Sequence, residues 1–339
     1  MNRRTVRRPL AVVSAAVVSS ALLAGCAEEI PAPQAGEPFS GPVLTEEQDV
    51  AIIEAVSATL DKADKSRTSA DLKARVTGPA LEVRKSQLKV AKANDSNEFV
   101  TAIPNNSQQM IIPTTNTWPR TSFSITERLE NMETPRLVVF EQDTARKPYK
   151  MWAWVQLVPG INMPHFADTR IGSEPLAPDD GELLVASPAD ALAQYADIVS
   201  LGTKKSSFAD TFDLPDADLV ARVQGDAKNV RATPGFDDAD GKYTVEFTAR
   251  EDDVRVVRTA DGGALVVGVL DGKSKLTTEE GAEVQAYSKT QETLLGDADP
   301  TNKLVVGYTD TVALYVPPKD SGEKVRSLGY SHVATSASN

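Results

Sequence analysis

A single cysteine, Cys26, stands in a chain of 339 residues, so no disulfide can form within the chain. A lone thiol has no partner of its own. The fold must therefore be stabilised by buried apolar side chains, and 41% of the residues are hydrophobic. Such a length predicts about two domains at roughly 150 residues each.

Cys26 closes the run Leu23-Ala24-Gly25-Cys26. Ahead of it lies a tip with Arg3, Arg4, Arg7 and Arg8 and no acid. The stretch from Leu10 to Leu23 is apolar apart from serines. It is shorter than the ~20 residues a membrane-spanning helix needs, and it has the length of a signal h-region. Tip, run and small residues before the cysteine resemble a bacterial lipoprotein signal. The resemblance implies cleavage before Cys26 and lipidation of its sulfur. It also implies a cell-membrane location with the protein facing the extracytoplasmic side. Neither arginine pair is followed by a full twin-arginine pattern, so the export route stays open.

The formal net charge is -12, and removing residues 1–25 takes away four arginines and no acid. An acidic surface repels phosphate backbones, so nucleic acid is not an expected partner. It does not draw the protein to anionic lipid either, so attachment is expected through the acyl chains on Cys26. Prolines 31, 33, 38 and 42 predict an extended tether after the cysteine.

An internal similarity shapes the expected architecture. Ser69–Ala80 and Asp216–Ala227 share Ala, Asp and Leu, then Ala-Arg-Val, then Gly and Ala at matching positions. They lie about one domain length apart, as duplicated domains would. Upstream of the first, Thr45 and Gln48 have capping-box spacing, and Val50, Ile53, Val56 and Leu60 fall on one helical face. Upstream of the second, Ser187-Pro188 opens a helix lined by Leu192, Tyr195, Ala196 and Val199. Strand patterns follow in each half. Those of the first are 109–112, 122–126, 136–141 and 149–158. Those of the second are 243–249, 254–259, 264–270, 304–308, 311–316 and 324–332. Asp261-Gly262-Gly263 marks a hairpin, and Ser331–Asn339 reads as a frayed end.

The expectation is α+β: two similar domains, each with N-terminal helices packed on an antiparallel sheet. The boundaries are 1–25 for the signal, 26–43 for the tether, 44–183 for the first domain and 184–335 for the second. The helix-then-hairpin order resembles the nuclear-transport-factor-like and cystatin-like cone folds. Gly78-Pro79-Ala80-Leu81-Glu82-Val83-Arg84, Thr117-Trp118-Pro119-Arg120 and Tyr149-Lys150-Met151-Trp152-Ala153-Trp154 resemble uncharacterised actinobacterial lipoproteins with a domain of unknown function. That resemblance implies no activity.

Catalytic signatures are sparse. His165 and His332 lie in different halves, and no His-Glu-x-x-His pair exists to hold zinc. Gly329-Tyr330-Ser331-His332-Val333 lacks the second glycine of a nucleophile elbow. Adjacent Ser and His on a strand also face opposite ways. In Asp237-Asp238-Ala239-Asp240-Gly241, a calcium loop would need carboxylates where Phe236 and Phe247 stand. Asp297 and Asp299 are equally sparse. No phosphate loop or dinucleotide fingerprint is present, and no cofactor is expected. Trp152 and Trp154 are two apart on a predicted strand and are expected to share a face, as the lining of a ligand or partner surface or as core.

The expected function is a non-enzymatic binding or interaction lipoprotein of the cell envelope, with an unidentified envelope protein or ligand as partner. The alternatives are a small-ligand-binding lipoprotein with a cone pocket, or a cone-fold enzyme of the isomerase or dehydratase kind.

Overall fold

The first helix begins where the capping box places it. In the computed structural model, which describes residues 41–115, 117–129 and 133–339, α1 spans Glu46–Ser66. The Gln48 amide donates to the Thr45 hydroxyl, and Gln48 Oε1 accepts the Thr45 N–H at 3.0 Å. Both bonds satisfy orphan donors of the first turn. Val50 does not join the buried face: Asp49 does, with Ile53, Val56, Leu60 and Ala63. α2 (Gly78–Ala93) follows with Pro79 in its first turn. β1 (Ser107–Ile111), β2 (Arg120–Thr126), β3 (Arg136–Gln142) and β4 (Lys150–Leu157) then form an antiparallel wing.

The second half opens with α3 (Pro188–Leu201), capped by Ser187. β5 (Phe212–Asp213) and α4 (Leu219–Arg231) follow. Next come β6 (Lys242–Arg258), β7 (Ala264–Thr277), α5 (Lys289–Leu295), β8 (Lys303–Val316) and β9 (Val325–Ser338). The hairpin at Asp261 forms as expected: Asp261 Oδ1 accepts the Gly263 N–H at 3.0 Å. Strand patterns 243–249 and 254–259 merge into β6 across a bulge, and 304–308 and 311–316 merge into β8. Residues 331–338, expected to fray, extend β9 against β8.

The expectation of two similar domains is overturned. All nine strands belong to one sheet, ordered β1-β2-β3-β4-β9-β8-β7-β6, with β5 pairing β9. The boundary drawn at 183/184 separates nothing, because the described residues form one unit across it. The reason lies in the strands. Each wing has helices on one face and a second apolar face that also needs cover. The wings bury these second faces against each other. Ile111, Phe123, Leu137 and Val139 pack with Val257, Leu265, Val267 and Tyr315 in one core. A second core lies between α3, α4 and β6–β9, and a third between α1, α2 and the outer face of β3–β4. The layers therefore run helices, wing, wing, helices, which also replaces the cone layout expected for each half.

The internal similarity is not structural either. Its first copy is a short 3-10 turn at Leu72–Ala74, a bridge from Val76 to Met151, and then the start of α2. Its second copy is α4 itself. Pro79 supplies the difference: it has no N–H, and its ring would strike the carbonyl four residues earlier, so a helix cannot run through it. Asp226 at the matching position imposes no such break.

The two wings meet at a narrow seam. Only Gln156↔Tyr330 and Leu157↔Gly329 pair between β4 and β9, supported by a Val158 N–H to Leu328 carbonyl bond of 2.9 Å. Beyond that point α2 and α5 cover the free side of β9, and the Ser86 hydroxyl donates to the Ala334 carbonyl at 2.8 Å. Among the described residues no helix is long and apolar enough to cross a membrane.

Candidate functional site

The chemistry-bearing cluster with the clearest geometry sits on β8 and β9. Asp310 and His332 are register partners, so their side chains share a face and a position. His332 Nδ1 lies 2.7 Å from Asp310 Oδ2, and Asp310 Oδ1 accepts the Val333 N–H at 3.2 Å. Asp310 is fully buried, and the His332 side chain is 15% exposed. Tyr308, two residues from Asp310 on the same strand face, stacks on the imidazole at 4.4 Å between ring centres. Phe247 packs on the same ring from β6 at 6.3 Å. Burial pushes the Asp310 carboxyl above its ordinary range, and the neighbouring His332 opposes the rise.

This arrangement fixes a tautomer. A carboxylate holding Nδ1–H leaves Nε2 as the basic nitrogen. Two-bond 1H–15N spectra are expected to place the neutral-state proton of His332 on Nδ1. A proton on Nε2 would contradict the geometry. The pair does not assemble a nucleophile. Ser331 pairs with Thr311 and faces the other side of the sheet, as alternation requires. His165 is exposed in a loop, where its carbonyl accepts the Ala260 N–H at 2.8 Å. No hydrogen bond among the described residues links it to His332. The pair is therefore read as a buried tie between two central strands.

A second buried carboxylate, Asp218, caps α4 by accepting the Val220 N–H at 2.7 Å. It also takes the Tyr195 hydroxyl at 2.8 and 3.0 Å on its two oxygens. Burial raises both groups above their ordinary values. The third is Asp49, which accepts from the Ser122 hydroxyl and is fully buried. Burial pushes its carboxyl up to about 6, against the lowering effect of the Ser122 bond. Sequence reasoning passed over all three. Asp49 was detectable, since it stands four, seven and eleven residues before Ile53, Val56 and Leu60, in register with the buried stripe.

Trp152 and Trp154 do not share a face. A bulge between Val139 and Phe140 sets Ala153 opposite Val139 but Met151 opposite Phe140, leaving Trp152 as the extra residue. Trp152 consequently packs between the wings, while Trp154 packs under α1 and α2. Each is only 2% exposed, so neither lines an open surface. Arg255 stacks over Trp152 at 4.3 Å, and Arg84 lies over Trp154 at 5.4 Å. Gly78, at φ +52°, gives the Trp152 indole its room: a Cβ there would lie 2.6 Å from its Cδ1. Trp118 is the exposed tryptophan, with the Arg120 guanidinium 4.1 Å from its ring centre.

Among the described residues no group of three or more His, Cys, Asp or Glu is placed to hold a metal ion. Asp237–Gly241 is a turn, closed by the Gly241 N–H on the Phe236 carbonyl at 2.8 Å. Asp299 uses its carbonyl to accept from the Asn339 amide. Cys26 lies outside the described residues. A narrow apolar crevice runs between α1 and the sheet, past Ile53, Val56, Leu60, Val138, Phe140 and Met151. Its open volume of about 10 Å³ is at most the room for one water molecule. A larger depression of about 650 Å³, beside Pro42, Glu46, Glu47, Asp168 and Arg170, is an open surface cleft.

These features define an α+β domain with filled cores and a buried His–Asp pair. The chain belongs to the family described as domain of unknown function DUF8094, which matches residues 40–339. No curated protein and no solved structure matches the chain.

Proposed function

We propose that the protein is a lipid-anchored, extracytoplasmic binding protein of the cell envelope. Cys26 carries the anchor, the residues after it up to about position 40 form the tether, and the domain engages an envelope component through its outer surface. The expected tether end at 43 is corrected, because Pro42 bridges Thr114 and the Val43 N–H bonds the Pro113 carbonyl at 2.9 Å. The observation that carries the binding half of this reading is the filling of the interior. Each face that a cone pocket would have used is occupied by side chains such as Trp152, Phe123 and Tyr315. Ligand pockets normally offer about 300–1,000 Å³ of concave volume. The crevice under α1 offers far less, and the cleft of about 650 Å³ beside Glu46 and Asp168 lies open on the outer surface rather than inside a cone. Strand addition is also disfavoured at β6. The Ser200 hydroxyl bonds both the N–H and the carbonyl of Phe247, and Arg231 takes the Tyr243 carbonyl. Side chains on the outer surface are then the means of recognition.

The anchor rests on Leu23-Ala24-Gly25-Cys26 and the basic tip before it. Metabolic labelling with a fatty-acid probe tests it. Wild type is expected to take up label and to fractionate with membranes, and Cys26→Ala to lose both. Label retained by Cys26→Ala would refute the anchor. Cross-linking on intact cells followed by purification tests the binding half. A specific envelope component is expected, and its consistent absence would count against binding.

A further inference from the structure

We propose that α1 is a hinged cover, and that its N-terminal half lifts from β2–β4 when Asp49 loses its proton. The first support is how sparingly α1 is docked. Over 21 residues it buries Asp49, Ile53, Val56, Leu60 and Ala63. α3 buries seven side chains in 14 residues, and α2 buries nine in 16. One of the five buried groups on α1 is a carboxylic acid. Apolar area removed from water is the main force that docks a helix, so α1 is held by less of it per residue than α2 or α3.

The second support is the state of the polar groups in this layer. Asp49 Oδ2, Arg120 Nε and Tyr149 OH are buried without a hydrogen-bond partner among the described residues. So are Asp64 Oδ1, Arg84 Nε and Trp154 Nε1 in the same layer. The layer under α3 and α4 contrasts with it: Tyr195 and Asp218 are bonded to each other, and Asp218 also to α4. A buried polar group without a partner favours states in which water reaches it. The narrow crevice between α1 and Val138, Phe140 and Met151 marks the line along which the helix separates.

The titratable group that acts on Asp49 from the sheet is Tyr149, just before β4, and Arg120 on β2 acts in turn on Tyr149. Neither bonds its carboxylate. The opening is set by solvation. When protonated, Asp49 is a neutral group at home in the layer. When ionised, it gains water by lifting. The C-terminal end is the pivot. There Arg67 stands at φ +47° and bonds Asn97 at 2.7 Å and Asp95, while Asn97 holds the Asp64 carbonyl at 3.2 Å. At the other end the segment before the helix is held at Val43, whose N–H bonds the Pro113 carbonyl at 2.9 Å. The first turn of the helix itself is held by the exposed Glu46–Thr169 bond, so the lifting part is the stretch from Glu46 onward. Lifting uncovers the apolar strip on β3 and β4.

Hydrogen exchange followed by mass spectrometry on the full chain tests this, with rates corrected for intrinsic exchange. At pH 7.5 the amides of residues 50–62 are expected to open at least ~10-fold more often than those of the central strand β7. Moving to pH 5 is expected to slow the opening of α1 by roughly 10-fold relative to β7. In Asp49→Asn the slow opening is expected already at pH 7.5, with no further response to pH. Ser122→Ala, which removes the hydroxyl bonded to Asp49, is expected to open α1 more often. Equal protection of α1 and β7 in wild type would overturn the proposal. So would a pH response that survives in Asp49→Asn.

Discussion

Gly329→Val is expected to lower the stability of the domain by about 3 kcal/mol or more, with the two wings coming apart at their seam. A Cβ on Gly329 would collide with the Gln156 carbonyl oxygen and lie 2.9 Å from Leu157 Cα. Both obstacles are backbone, so no rotamer change relieves them. The strands themselves must separate, and only two residue pairs hold β4 to β9. The wing-to-wing core depends on that seam for its alignment, so the loss extends beyond one hydrogen bond. Urea denaturation measures it as a shift in midpoint. Gly225→Ala provides the contrast. Gly225 lies inside α4 with nothing within 4 Å of its added Cβ. There alanine is expected to raise stability by ~0.5–1 kcal/mol through helix propensity alone. A Gly329→Val protein as stable as wild type would mean that the wings do not rely on the seam.

The seam also shows where the sequence was legible. Helix starts were readable because they depend on residues close in sequence: Thr45 with Gln48 three positions on, and Ser187 followed at once by Pro188. Strand locations were readable from alternation and from turn residues such as Asp261-Gly262-Gly263. The count of domains was not. A sheet buried on both faces carries continuous apolar runs instead of alternation. Leu137-Val138-Val139-Phe140 and Leu265-Val266-Val267 are such runs, and they were the available sign that each wing needed cover on both sides. The partner of each wing is more than a hundred residues away in the chain, and no local pattern names it. The tryptophan face failed for a related reason. A bulge reverses the parity of a strand, and the bulge at Trp152 is set by its pairing with β3. Of the buried acids, Asp49 was legible from its helical register. Asp310 was not, because its partner His332 comes from another strand.

The stability of the protein is expected to fall as pH rises from about 4 to about 7, the reverse of ordinary acid denaturation. Asp49, Asp218 and Asp310 are all buried, and burial raises each carboxyl above its usual value. A raised folded-state value means that the native protein holds the proton more tightly than the unfolded chain does. Between the two values the native state binds more protons, so stability declines with pH until the folded-state group has ionised. For Asp49 the window runs from 3.8 to about 6. At about 1.4 kcal/mol per unit, complete ionisation would cost on the order of 3 kcal/mol. Asp49→Asn removes that cost and keeps an oxygen for the Ser122 hydroxyl. Its new amide must be solvated or find the Tyr149 hydroxyl, which takes back part of the gain. The variant is therefore expected to be more stable than wild type by about 2 kcal/mol at pH 7.5 and equal to it near pH 4.5. Urea midpoints across that range measure both ends. If the variant gained the same stability at every pH, the effect would come from packing. A variant less stable than wild type at pH 7.5 would mean that Asp49 is ionised and well solvated in the native protein, and that the buried carboxyl does not oppose the docking of α1.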